Sequence, residues 1–192
     1  MVSGLVQQLD DSPQLLDAAG LRRITLRLAH EIVERHRALD AVVLVGIPTR
    51  GVPLARAVAH QLAGLGHAAP PVLVLDPTGH RDDGPRPTAP LPALSDADGG
   101  PAPGIDGAVV IVVDDVLYTG RTVRAALDAL VDCGRPAAVE VLTLIDRGHR
   151  ELPLRATYVG KNVPTASADR VFVRIREVDG VDGAWLRRGA HS

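Results

Sequence analysis

At 192 residues the chain is long enough to bury one sizeable core, and a single α/β domain with appended pieces is expected rather than two domains. Hydrophobic residues make up 46% of it and aromatic residues only 2%, which assigns the core to Val, Leu, Ala and Ile. A formal net charge of −2 gives no global reason to bind nucleic acid, the single Cys133 excludes an internal disulfide, and with no signal peptide or bilayer-length apolar run a cytoplasmic address is expected.

Residues 1–14 read as a loose leader and 15–192 as the folded domain. From Asp17 to Leu39 a helix is predicted: Leu21, Ile24, Leu28, Ile32 and Leu39 share one stripe, while Arg23, Arg27, His30, Glu34 and Arg37 fall opposite. Strand Ala41–Val45 follows, then the turn Gly46-Ile47-Pro48-Thr49-Arg50-Gly51 and a helix through Leu54, Val58 and Leu62. Pro71–Leu75 is a further strand. Residues 77–107 are crowded with Pro, Gly and Asp without apolar period and read as a long mobile loop.

Val109-Val110-Ile111-Val112-Val113, five β-branched residues in a row, predict a central strand buried on both faces. Asp114 and Asp115 then emerge at its C-terminal end, where open α/β sheets place ligands. Thr119-Gly120-Arg121-Thr122 opens a helix carried by Val123, Ala126, Leu127 and Leu130. Ala137–Ile145 is another strand, and Ala156–Val159, Val171–Glu177 and Gly183–Arg187 are short strand candidates. Helices alternating with strands, then a strand-rich tail, give a twisted, mostly parallel sheet with a small cap over its ligand edge.

The helix opening at Thr119–Thr122 offers unpaired amides and the positive end of a dipole, suited to a phosphate dianion; Gly120 admits close approach and the two Thr hydroxyls add donors. The adjacent carboxylates cannot bind phosphate, so they accept hydrogen bonds from sugar hydroxyls or hold hydrated Mg²⁺. A phosphorylated ribose satisfies both halves. A bare strand end with a helix cap needs only one such group, whereas this turn carries four. The Gly-Lys-Ser/Thr ending of a Walker A loop is absent. The Gly46–Gly51 turn occupies an equivalent place after a buried strand, and Arg50 beside its amides suits a pyrophosphate.

The segment Asp114-Asp115-Val116-Leu117-Tyr118-Thr119-Gly120-Arg121-Thr122 resembles the phosphoribosyl diphosphate (PRPP) signature of the type I phosphoribosyltransferase family. The resemblance implies that Asp114 and Asp115 meet ribose hydroxyls and that Thr119 to Thr122 hold the 5′-phosphate. It implies that Thr49, Arg50 and Gly51 bind pyrophosphate through a turn with a non-proline cis peptide, expected at Thr49-Arg50. Arg81-Asp82-Asp83 resembles the family's mobile flap. Pro77, Gly79 and His80 stand where related regulators continue a strand, which predicts weaker flap closure and turnover.

The run Asp146–Arg155 with Tyr158–Thr165 is similar to the PyrR family of bifunctional pyrimidine operon attenuation regulators and uracil phosphoribosyltransferases. The reaction so implied joins a uracil nitrogen to C1 of PRPP, with Mg²⁺ and Arg50 neutralising the leaving pyrophosphate. Uracil would sit under the cap near Ile145, Asp146, Arg147 and Val163. The family's RNA-binding positions fall on Arg27, His30, Arg35, His149, Arg150, Arg155 and Lys161; a solvated helix face with structural ion pairs to Glu31, Glu34 and Glu151 is the alternative, and the one favoured for the helix alone. Thr25 lies one place before the usual hydroxyl position, now Leu26, so that a contact to RNA is expected to be missing. Partners implied are PRPP, uracil, UMP and a leader mRNA hairpin, with a homodimer joining two basic patches and a tetramer as the larger alternative. A salvage enzyme without RNA binding, and an RNA regulator with vestigial catalysis, stay open.

Overall fold

A computed structural model describes residues 12–80 and 94–189. The flap candidates Arg81, Asp82 and Asp83 lie outside the described residues. Five strands and three helices build the main layer set: α1 (Ala18–Arg35), β2 (Val42–Gly46), α2 (Gly51–Gly64), β3 (Val72–Leu75), β5 (Val109–Leu117), α3 (Arg121–Cys133), β6 (Ala138–Asp146) and β7 (Tyr158–Asn162). With β4 (Leu94–Asp96) they form a six-stranded sheet in the order β4-β3-β2-β5-β6-β7, in which only the β3/β4 pair is antiparallel.

Alternation along the buried strands sorts the core into two faces. Leu44, Ile111 and Val113 pack with Leu28 and Ile32 of α1 and Leu54, Val58 and Leu62 of α2. Val43, Val45, Val110 and Val112 pack with Ala126, Ala129 and Leu130 of α3. A second sheet, antiparallel and ordered β1-β9-β8, joins β1 (Gln14–Leu16), β8 (Arg170–Arg174) and β9 (Gly183–Arg187), with the short helix α4 (Arg176–Asp179) between the last two. No helix among the described residues is long and apolar enough to cross a membrane.

Several expectations shift. Gln14 belongs to a strand rather than to a loose leader, because β9 supplies its partner at Trp185. Helix α1 stops at Arg35, where His36 turns extended and its ring reaches Glu140. Within 77–107, Pro77–His80 forms a 3₁₀ turn and Leu94–Asp96 adds to the open edge of β3, so that stretch is not structureless. The strand expected to reach Glu177 ends at Arg174 and gives way to α4, whose last residue Asp179 accepts the Ile175 amide at 2.9 Å.

Near the start of β6, far from the ligand edge, Glu140 is buried and accepts from Arg35 Nε (2.6 Å) and Tyr158 Oη (2.7 Å), with His36 Nε2 at 3.0 Å. Burial, which alone would raise it, is outweighed by the Tyr158 hydroxyl, the Arg35 guanidinium and His36, so the carboxyl sits below its ordinary value. Its stabilising contribution is therefore complete above that ordinary value of 4.5 and is lost as pH falls through the lowered one. Glu140→Gln should cost about 1–3 kcal/mol near neutral pH and flatten the acid limb of urea stability against pH. An acid limb as steep as that of the unmodified protein would contradict this.

Candidate active site

The end of β5 and the head of α3 enclose a cavity of about 200 Å³ lined by Asp114 and Val116 through Val123. Gly120 is the N-cap at φ 91°, a left-handed conformation that a side chain would strain. The Arg124 amide closes onto Gly120 O at 2.9 Å, so the opening turn of the helix forms the cavity wall. This is the geometry of a phosphate cradle.

Asp114 and Asp115 sit inside β5 rather than beyond it, since β5 stays paired with β6 as far as Leu117 opposite Asp146. On the other flank β2 stops at Gly46 opposite Val113. The acids are thus held by one neighbour and open toward the other. Asp114 is buried and accepts the Asp115 amide at 3.0 Å. Burial pushes the Asp115 carboxyl up, opposed first by the Arg50 guanidinium.

The second turn docks on the same edge through Ile47 N, which donates to Val113 O at 3.0 Å. Its cis peptide joins Pro48 to Thr49, one bond earlier than the expected Thr49-Arg50, and Arg50 has helical backbone angles at the head of α2. Thr49 is exposed, and Gly51 is buried against β5. Arg50 is not a solitary charge. Its Nε and Nη2 donate to Asp179 Oδ2 (2.9 Å) and Oδ1 (2.7 Å), and Arg174 joins the same carboxylate at 3.1 Å. Bonding to Asp179 holds the Arg50 guanidinium above its ordinary value. The second sheet with α4, the hood of the molecule, is thereby fastened to the turn at Gly46–Gly51, and Arg56 adds a parallel tie to Glu177.

Segment 146–155 wraps around the phosphate turn. Arg150, half-buried, donates to the carbonyls of Tyr118 (2.6 Å), Leu117 (3.4 Å), Gly148 (3.2 Å) and Leu154 (3.2 Å) and pairs with Asp146. The Glu151 amide donates to Thr119 O at 3.0 Å, and its carboxylate takes Arg121 Nε at 2.7 Å. Arg147 is buried, with its guanidinium over the Tyr118 ring. Of the uracil candidates, Asp146, Arg147 and Val163 line one cavity of about 260 Å³, whereas Ile145 is fully buried in the core. Asp179 lies in no motif and at no diagnostic spacing from Arg50, so only the fold shows that it holds that residue.

The candidate RNA residues gather around β7. Arg27 Nη2 donates to Val159 O (3.0 Å) and Gly160 O (2.6 Å), and Lys161 Nζ to Leu15 O (2.8 Å). His149, at φ 59°, places Nε2 2.5 Å from Thr165 O. Arg35 turns to Glu140 at the far end of the sheet, away from this group. His30 and Arg155 are exposed and carry no hydrogen bond among the described residues; Arg155 and Arg150 share a groove of about 800 Å³ with Val159. Thr25 is buried and bonds Arg22 O at 3.0 Å, so its hydroxyl does face away from solvent.

A mostly parallel sheet of this order, with two strand-to-helix turns on one edge beneath an antiparallel hood, is the type I phosphoribosyltransferase fold, and the phosphoribosyl transferase domain family matches residues 11–174. The hypoxanthine phosphoribosyltransferase of Staphylococcus aureus superposes with a TM-score of 0.66 at 17% identity, covering 97% of this chain and 96% of that one. In sequence, the bifunctional protein PyrR of Chloroflexus aurantiacus is 51% identical over 95% of this chain and 98% of its own length. That of Streptomyces coelicolor is 51% identical over 93% and 91%. The chain belongs to the PyrR family.

Proposed function

We propose that the protein is a UMP-responsive regulator that binds a hairpin in the leader mRNA of pyrimidine biosynthesis genes and promotes transcription termination there. The same molecule transfers the phosphoribosyl group of PRPP to uracil, giving UMP and diphosphate, and works in the cytoplasm as a homodimer. The observation that carries both halves is the bonding of segment 146–155 to the phosphate turn: Arg150 to the Leu117 and Tyr118 carbonyls, Glu151 to Thr119 and Arg121. A nucleotide in the cradle acts directly on the backbone that presents His149, Arg150 and Arg155, so its occupancy and RNA affinity are linked reciprocally.

Asp114 and Asp115 hold the ribose hydroxyls, the opening of α3 holds the 5′-phosphate, and the turn at Thr49–Gly51 receives diphosphate. Two adjacent carboxylates fit a cation that arrives bound to PRPP and keeps most of its own shell. Mg²⁺ of that kind, when bound, neutralises the departing diphosphate. The transition state needs orientation, charge neutralisation and exclusion of water, which these residues supply without a nucleophile.

The test is a titration with a pyrimidine-leader hairpin, with and without UMP, across a salt series. UMP should tighten binding about tenfold. Arg155→Gln should weaken it and lower the salt slope by about one. Absence of binding at low salt in both conditions would select the salvage enzyme, a reading favoured by the commitment of Arg27, Arg35, Arg150 and Lys161 to intrachain acceptors.

A further inference from the structure

Arg147 is the most enclosed cation of the site, 6% exposed, yet no carboxylate pairs with it among the described residues. Nε donates to Thr165 Oγ1 and Nη2 to Ala166 O, each at 3.1 Å, and the guanidinium carbon lies 4.0 Å from the centroid of the Tyr118 ring. Tyr118 belongs to the phosphate turn, so this cation is anchored to the element that holds the sugar. Its neighbour Asp146 is already engaged, accepting the Gly148 amide at 2.9 Å and pairing with Arg150. A buried guanidinium held by neutral acceptors and a ring face is left short of an anion.

The anion has a place to sit. Arg147 lines the 260 Å³ cavity with Asn162, Val163 and Thr165, and the Arg147 amide bonds Leu117 O at 3.1 Å, directly beside the phosphate turn. That volume accommodates a single pyrimidine ring. Resting on the uracil phosphoribosyltransferase reading above, we propose that Arg147 is a catalytic residue whose guanidinium stabilises the N1-deprotonated form of the base.

Neutral uracil is a poor nucleophile, because the N1 lone pair is delocalised into the ring carbonyls. Loss of the N1 proton to water puts a negative charge on the ring and its carbonyl oxygens, where a desolvated guanidinium interacts far more strongly than in solution. The N1 electron pair then forms the bond to C1′ as the C1′–O bond breaks and its electrons leave with diphosphate. Arg147 in this way selects 2,4-dioxopyrimidines, whose N1–H ionises, over cytosine, whose ring does so much less readily.

The test compares kcat/KM for uracil and for 5-fluorouracil, the more acidic base, across a pH series in the unmodified protein, Arg147→Gln and Arg147→Lys. Arg147→Gln should lose about 10²–10³-fold with uracil. The loss should be several-fold smaller with 5-fluorouracil and should shrink as pH rises, since solution then supplies the anion. Arg147→Lys should fall between the two. Equal losses on both bases at every pH, with the unmodified protein active, would overturn the proposal and leave Arg147 a structural residue. Should Arg147→Gln not fold, the lysine variant decides by the same ratio: a uracil to 5-fluorouracil preference unchanged from the unmodified protein overturns the proposal. An unmodified protein that forms no UMP would overturn the enzyme reading and this proposal together.

Discussion

Asp115→Asn is expected to lower kcat/KM for PRPP by about a hundred- to a thousandfold, the loss of about 3–4 kcal/mol from charged hydrogen bonds to sugar hydroxyls. Asp115 lies where β2 has ended and β6 continues, and the Arg50 guanidinium at the head of α2 is the charge that most opposes the effect of its burial. Asp115 in turn offsets Arg50, whose other partner is Asp179. Asparagine keeps the shape and one acceptor and removes a charge whose burial is itself costly, so the thermal midpoint should hardly move. Steady-state kinetics with PRPP as the varied substrate, alongside a melting curve, separates the two effects. A loss under tenfold would mean that the ribose is held elsewhere.

Gly51→Ala should destabilise the protein by about 3 kcal/mol or more and lower its melting temperature by roughly 6–12 °C. A Cβ built there meets Val113 O at 2.2 Å, Val113 C at 3.2 Å and Asp114 Cα at 3.5 Å. All three are backbone atoms of the central strand and cannot rotate away. Relief requires moving α2 off β5, which opens the Ile47 N to Val113 O bond and shifts Asp114 with it. Helix propensity alone favours alanine over glycine by about 1 kcal/mol, so the sign of the result discriminates. A stabilised variant would show that this close approach is not what holds the turn.

The long apolar run at Val109–Val113 declared both a central strand and the edge where chemistry belongs, because nothing but burial on two faces explains five β-branched residues together. Where that strand ends was not legible. Asp114 and Asp115 break the apolar pattern, yet pairing with Thr143 through Asp146 carries the ladder past them. Strand β4 was equally hidden, since three residues hold no period and Leu94 takes its register from Leu75. The cation at Arg50 could be read from its turn, but its partner Asp179 lies 129 positions away, in the turn between two short strand candidates. The family resemblance likewise put Arg35 among the RNA-binding positions, whereas α1 ends there and the side chain swings to Glu140.

The hood sets a schedule for synthesis. Its middle strand is β9, with Gln14 of β1 opposite Trp185 on one side and Phe172 of β8 opposite the same residue on the other. The six-stranded sheet needs nothing beyond β7, so the strands that carry both turns can pair before β9 has been made. Until then Gln14–Leu16 has no partner and must wait through nearly the whole chain, one of the widest sequence separations bridged in the molecule. A nascent chain therefore has the floor of its active site before it has the roof.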